Sequence, residues 1–162
     1  MKPESKLKSL DELKAVVRQI HTAGKTVVFA NGCFDLIHVG HVRYLQSARA
    51  MGDALIVGVN GDTGVGILKG KGRPLQSEND RAEMIAAMAC VDYVLLFDDL
   101  TVDGILNELR PDIHAKGTDY KEESVPEGDT VRSYGGKVAI AGDRKDHSTR
   151  DMIETIVSKF SS

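Results

Sequence analysis

A chain of 162 residues, 41% hydrophobic and 28% charged, is long enough to bury a core without disulfide staples and reads as a single domain. Its formal net charge of -3 gives no general attraction to nucleic acid or acidic membrane, so neither is expected as a partner and any anion site has to be local. Cys33 and Cys90 form no Cys-x-x-Cys pair, residues 1–8 hold no apolar leader and no run reaches membrane-spanning length, which suits a soluble protein of a reducing cytoplasm rather than a zinc or disulfide framework.

In chain order, Ser9-Leu10-Asp11-Glu12 reads as a capping box, and Leu10, Leu13, Val17 and Ile20 give the next helix one apolar face ending near Gly24. Residues 1–25 are read as an N-terminal tail and helix ahead of a main body over 26–162. Val27 to Ala30 is an apolar, β-branched run of the kind found in the middle of a parallel sheet, and Asn31-Gly32 breaks it. A helical pattern over 41–51 carries Val42, Leu45, Ala48 and Arg49 at three- and four-residue steps, with Gly52 as its stop. Asn60 to Pro74 reads as a glycine-rich loop. Strand-like runs at 54–59, 93–97, 113–116 and 137–141 alternate with helical patterns at 77–90, 102–110, about 127–134 and 149–160. In the last helix Met152, Ile153, Ile156 and Val157 are expected to face inward. This alternation predicts an α/β fold, a doubly wound parallel five-stranded sheet with helices on both faces. Such sheets bind ligands at the carboxyl ends of their strands, where the strand order reverses.

The first strand ends in His38-Val39-Gly40-His41 at the start of a helix. Free N–H groups and the positive end of the helix dipole favour an anion there. Gly40 lets a phosphate approach the backbone, each imidazole can donate one hydrogen bond, and a protonated ring adds charge. Lys69, Lys71 and Arg73 bring three cations into five residues among glycines, suited to closing over phosphates or to plain solvation. The loop is not a Walker A, and no Gly-x-Gly-x-x-Gly supports a dinucleotide site. Lys116-Gly117-Thr118-Asp119-Tyr120 offers backbone, a carboxylate and a ring at a strand end, either a nucleobase seat or an ordinary turn. Ser148 is an N-cap or part of a second phosphate-binding helix start, and the neighbouring Arg144, Lys145 and Arg150 favour the second.

Taken together, Asn31-Gly32-Cys33-Phe34-Asp35-Leu36-Ile37-His38-Val39-Gly40-His41, Asp80-Arg81-Ala82-Glu83, Lys116-Gly117-Thr118-Asp119-Tyr120 and Ser148-Thr149 resemble the cytidylyltransferase-like nucleotidyltransferase superfamily. Within it the chain is most similar to the adenylyltransferases of ADP-heptose synthesis, which occur fused to a sugar kinase or as separate chains. The resemblance implies a Rossmann-like fold and transfer of AMP from ATP to D-glycero-β-D-manno-heptose 1-phosphate, releasing pyrophosphate with no covalent enzyme intermediate. It implies catalytic roles for His38, His41 and Lys69, with Asn31, Gly32, Cys33, Phe34, Asp35 and Gly40 around the α-phosphate. Lys71, Lys116, Gly117, Asp119, Tyr120, Ser148 and Thr149 would complete the nucleotide site, and Asp62, Arg73, Arg81 and Arg150 would meet the acceptor. It further implies a magnesium ion on the triphosphate rather than in a protein cage, a homodimer or higher homo-oligomer with Asp80-Arg81 and its helix near the contact, and a separate sugar kinase supplying the acceptor. Relatives commonly read Asn-Ser-Asp, Lys-Gly-Gly-Asp-Tyr and Ser-Thr-Thr where this chain has Gly61, Thr118 and Arg150. These departures fall on acceptor identity, and a cytidylyltransferase acting on glycerol 3-phosphate or a related alcohol phosphate is the alternative.

Overall fold

Five strands carry the architecture: β1 (Val27–Gly32), β2 (Ala54–Asn60), β3 (Tyr93–Phe97), β4 (Ile113–Gly117) and β5 (Lys137–Ala141). They stand in the order β3-β2-β1-β4-β5 and pair in parallel throughout, the doubly wound sheet that the alternation predicts. The computed structural model describes residues 2–144 and 146–161. Around the sheet run α1 (Pro3–Lys6), α2 (Leu10–Thr22), α3 (Val39–Arg49), α4 (Asp62–Lys69), α5 (Glu78–Ala87), α6 (Asp103–Leu109), α7 (Gly128–Ser133) and α8 (Thr149–Phe160).

Because successive strand residues point to opposite faces, β1 feeds two cores. Val28 and Ala30 pack with Leu45 and Ala48 of α3 and Ala82 and Ile85 of α5. Val27 and Phe29 pack with Leu13 and Val17 of α2, Ile105 and Leu106 of α6 and Val131 of α7. With both faces covered, a central strand has no polar positions to spare, which is why Val27-Val28-Phe29-Ala30 reads as a continuous apolar run. The strand runs on through Asn31 and Gly32, paired with Gly58 and Val59. The chain leaves β1 toward β2 and β3 and returns to the other side of β1 as β4, so the crevice opens between the carboxyl ends of β1 and β4. No helix among the described residues is long and apolar enough to cross a membrane.

Three segments depart from the sequence reading. Residues 62–69, expected as loop, form α4, because the fully buried Val65 anchors it and Gly64 faces the Asp98 carbonyl. Packing there outweighs the roughly 1 kcal/mol that each of Gly64 and Gly66 costs a helix. The segment read as a tail is tied to the sheet edge: Leu7 bridges Val94, and the Lys6 ammonium donates to Met88 O and Val91 O. In α8 the expected inward face is turned out. Met152, Ile156 and Val157 are 36%, 50% and 54% exposed and Ile153 is half-buried, because no element among the described residues covers that side.

Candidate active site

A cavity of about 830 Å³ occupies the crevice, floored by Asn31, Gly32, Cys33 and Phe34 and walled by His38, His41, Lys69, Arg73, Lys116, Tyr120 and Ser148. Beyond β1 the chain turns sharply, with Phe34 at φ 50° and Leu36 at φ 57°, left-handed conformations that cost about 1 kcal/mol each in a non-glycine residue. Buried polar anchors hold the turn. The Asp35 carboxylate, 2% exposed, accepts from Arg73 Nε at 2.6 Å and from the Leu75 and Gln76 amides. Burial pushes its pKa up, but the Leu75 amide, Arg73 and the Gln76 amide outweigh that and hold it below the usual carboxylate range. Asp35 thus fastens the loop that carries Arg73 to the cavity.

Arg81 lies behind the floor rather than in the cavity. Fully buried, it donates to the carbonyls of Gln76, Cys33 and Asn60 and to Asp62 Oδ1. Arg81 and Asp62, both expected at the acceptor, are engaged by each other, and neither lines the cavity. Lys71 is exposed beyond α4 and also lies off the cavity lining.

His38 is the N-cap of α3 and His41 its third residue. Their rings stack at 3.9 Å between centroids and 24° between planes, and the edge of Phe34 meets His41 at 5.4 Å. A Cβ on Gly40 would sit 2.9 Å from His38 Nδ1, so glycine is needed there for His38 to fold back over the turn. His41 Nδ1 accepts from the His38 backbone N–H at 3.3 Å, which leaves Nε2 as the protonated, donating nitrogen. Burial, then the charges of His38 and Lys69, push the His41 pKa down to about 4. His41 is therefore a neutral donor at pH 7, not the cation the sequence admits. Lys69, the last residue of α4, stands on the opposite wall, close enough for its charge to act on both His41 and Cys33. Burial raises the Cys33 thiol above its ordinary pKa, so it rests in the floor as an un-ionised group.

Past β4, the Lys116 ammonium lies 4.9 Å from the centroid of the Tyr120 ring. Thr118 Oγ1 donates to Asp143 O at 2.9 Å, and Asp143 is paired with Arg43 of α3 at 2.7 Å. The threonine that departs from the relatives' pattern thus ties the β4 loop to the loop after β5. At α8, Ser148 Oγ accepts from the Asp151 amide and Thr149 Oγ1 donates to Asp35 O. The Ser148 hydroxyl caps α8 and the Thr149 hydroxyl docks the helix start on the β1 turn, while both residues still line the cavity with Gly117, Asp119 and Arg150. Lys145 lies outside the described residues.

The cavity also gathers Arg144, which the sequence reading placed beside the α8 start, and residues that sequence reasoning missed: Tyr44, Asn60, Leu68 and His147. Tyr44, one step along α3 from His41, donates to Ala115 O at 2.8 Å and so bridges β1's helix to β4. Its spacing from His41 was the available signal. Asn60 and His147 sit at strand and helix ends that only the fold brings beside the histidines.

A parallel sheet open at its switch point, a stacked histidine pair on a helix N-terminus and facing cations define a nucleotidyltransferase type of site. Residues 29–160 match the family model described as cytidylyltransferase-like. The chain is 47% identical over 157 residues to the "Bifunctional protein HldE" of Syntrophotalea carbinolica and 48% identical to that of Citrifermentans bemidjiense. In each case the alignment covers 97% of this chain and 32% of the relative, so the chain spans about a third of the length of these curated relatives. Among solved structures, the lipopolysaccharide core biosynthesis protein of Thermoplasma volcanium is 29% identical, with a TM-score of 0.65 over 75% of this chain and 100% of that one. Pantoate-beta-alanine ligase from Francisella tularensis, 12% identical with a TM-score of 0.64 over 91% of this chain and 72% of that one, shares the fold. The chain belongs to the cytidylyltransferase-like family.

Proposed function

We propose that this chain is an adenylyltransferase that transfers AMP from ATP to D-glycero-β-D-manno-heptose 1-phosphate, giving ADP-heptose and pyrophosphate. The observation that carries the reading is the His38–His41 stack on the start of α3, with Lys69 and Arg73 lining the same cavity. A phosphate oxygen of the sugar phosphate attacks the α-phosphorus, the bond to the bridging oxygen of the β-phosphate breaks, and pyrophosphate leaves with the electron pair. No enzyme atom becomes bonded to phosphorus. Catalysis is positioning and charge neutralisation, for which neutral imidazole donors, helix amides and mobile cations suffice. A bound triphosphate raises the His41 pKa by placing negative charge beside the ring.

Magnesium enters this reading as a counter-charge of the triphosphate, held by phosphate oxygens and water. The residues present fit that arrangement: His38, His41, Lys69 and Arg73 line the cavity as phosphate ligands, and the Asp35 carboxylate beside them is engaged by Arg73 and the Leu75 and Gln76 amides. The similarity to HldE proteins supports ADP-heptose as the product; a sugar kinase as the source of the acceptor and a homo-oligomer as the working form are parts of the same proposal. The test is pyrophosphate release from ATP and CTP, each with heptose 1-phosphate and with glycerol 3-phosphate. Turnover confined to ATP with the heptose phosphate supports the reading, and turnover confined to CTP with glycerol phosphate replaces it.

A further inference from the structure

Beneath the β4 edge lies a buried ionic cluster that the transfer reaction leaves unused. His114, Lys116 and Glu127 are 0%, 7% and 7% exposed. His114 and Lys116 are two apart on β4 and so share one face of the sheet, where His114 stacks on Phe29 at 5.8 Å. Glu127, at the N-cap of α7, reaches back with Oε2 3.5 Å from Lys116 Nζ and 3.7 Å from His114 Nε2. Lys116 in turn stands 4.9 Å from the Tyr120 ring centroid. Lys116 and Tyr120 line the cavity, whereas Glu127 and His114 lie behind it.

An ammonium this deep is costly unless a carboxylate compensates it, and Glu127 is the carboxylate that does so. Burial pushes the Glu127 carboxyl up, but the neighbouring His114 ring and the Lys116 charge outweigh burial and bring it down to about 2. It is ionised throughout the neutral range. Engaged by Glu127 and Tyr120, Lys116 is not a free phosphate ligand. What it does is fix a ring.

We propose that Glu127 is a positioning residue for base recognition: by holding the Lys116 ammonium against Tyr120, it sets that ring as the surface on which the base of a nucleoside triphosphate stacks. This rests on the reading that the cavity takes such a nucleotide. A cation against an aromatic ring is a directional contact that fixes the ring's pose. A fixed ring stacks a flat base at less entropic cost than a rotating one. The triphosphate, held at the histidines and Lys69, does not depend on it.

The experiment measures calorimetric binding of a non-hydrolysable ATP analogue and of inorganic tripolyphosphate to the wild-type chain, Glu127→Gln and Lys116→Met. The wild type binds the analogue more tightly than tripolyphosphate. In both variants the analogue weakens about tenfold, as loss of a stacking and cation–π contact should, while tripolyphosphate stays within about twofold. In turnover, Glu127→Gln raises the ATP KM and leaves kcat within about threefold, a split that a merely structural defect would not give. An unchanged preference in both variants, or an equal loss of both ligands, overturns the proposal. A wild type with no preference for the analogue overturns the nucleotide reading itself, and if Glu127→Gln fails to fold, Lys116→Met decides alone.

Discussion

Replacing Arg81 with methionine keeps the length of the side chain and deletes the guanidinium that joins the ends of β1 and β2. In the native chain that group satisfies the carbonyls of Cys33, Asn60 and Gln76 and pairs with Asp62 at 2.8 Å, with no part of Arg81 exposed. The pair with the half-exposed Asp62 contributes little on its own. The orphaned carbonyls matter more, at about 1–3 kcal/mol each, and methionine's packing returns a fraction. The net loss is about 3–5 kcal/mol, a large part of the stability of a domain this size. Spread over the unfolding entropy of such a chain, that lowers Tm by roughly 6–20 °C. Thermal unfolding followed by circular dichroism reads it directly. Arg81→Lys recovers little of the loss, because an ammonium cannot fork to several carbonyls at once. A variant that melts with the wild type while the acceptor KM rises would refute the reasoning and return Arg81 to the acceptor site.

Other outcomes follow from the same geometry. His41→Ala lowers kcat roughly 10²–10³-fold, as removal of one transition-state donor does, with thermal unfolding near wild type; a near-normal rate counts against the role. Lys69→Ala lowers kcat about 10–100-fold through lost neutralisation of the leaving phosphates, and wild-type kinetics there would make the α4 end a solvated surface. Stability responds to pH in two windows. The unfolded chain takes up a proton at His41 near its ordinary 6.5 while the folded chain waits until about 4, so acidification through that range destabilises the fold. Glu127, held down to about 2 from 4.5, contributes stability that is lost as pH falls through that lower range. Melting curves of His41→Gln and Glu127→Gln against pH separate the two, and a slope unchanged by either substitution contradicts the assignment.

The strands were legible because burial on both faces leaves no polar positions, as Val27-Val28-Phe29-Ala30 illustrates. The histidine turn was legible because a helix start that binds anions needs a short, glycine-containing entry. α4 was not, since Gly64 and Gly66 mask a helix that tertiary packing of Val65 enforces. The face of α8 was misjudged because amphipathic spacing says which side is apolar but not what covers it. Asp35 and Thr149 line the cavity, yet their side chains fasten loops to one another, a role that depends on partners far away in the chain, whereas Ser148 caps α8, one of the two roles its position before the helix offered. Glu127 gave no local signal, because its partners lie on another element; Tyr44 gave only its spacing from His41, and its partner too lies on another element.

Pyrophosphate release measured across ATP and CTP, with heptose 1-phosphate and glycerol 3-phosphate as acceptors, in the wild type and His41→Ala, tests the central claim most directly. The account predicts rapid release only from ATP with the heptose phosphate, reduced by roughly 10²–10³ in the variant. Release from no pair, or release that His41→Ala leaves unchanged, would contradict it.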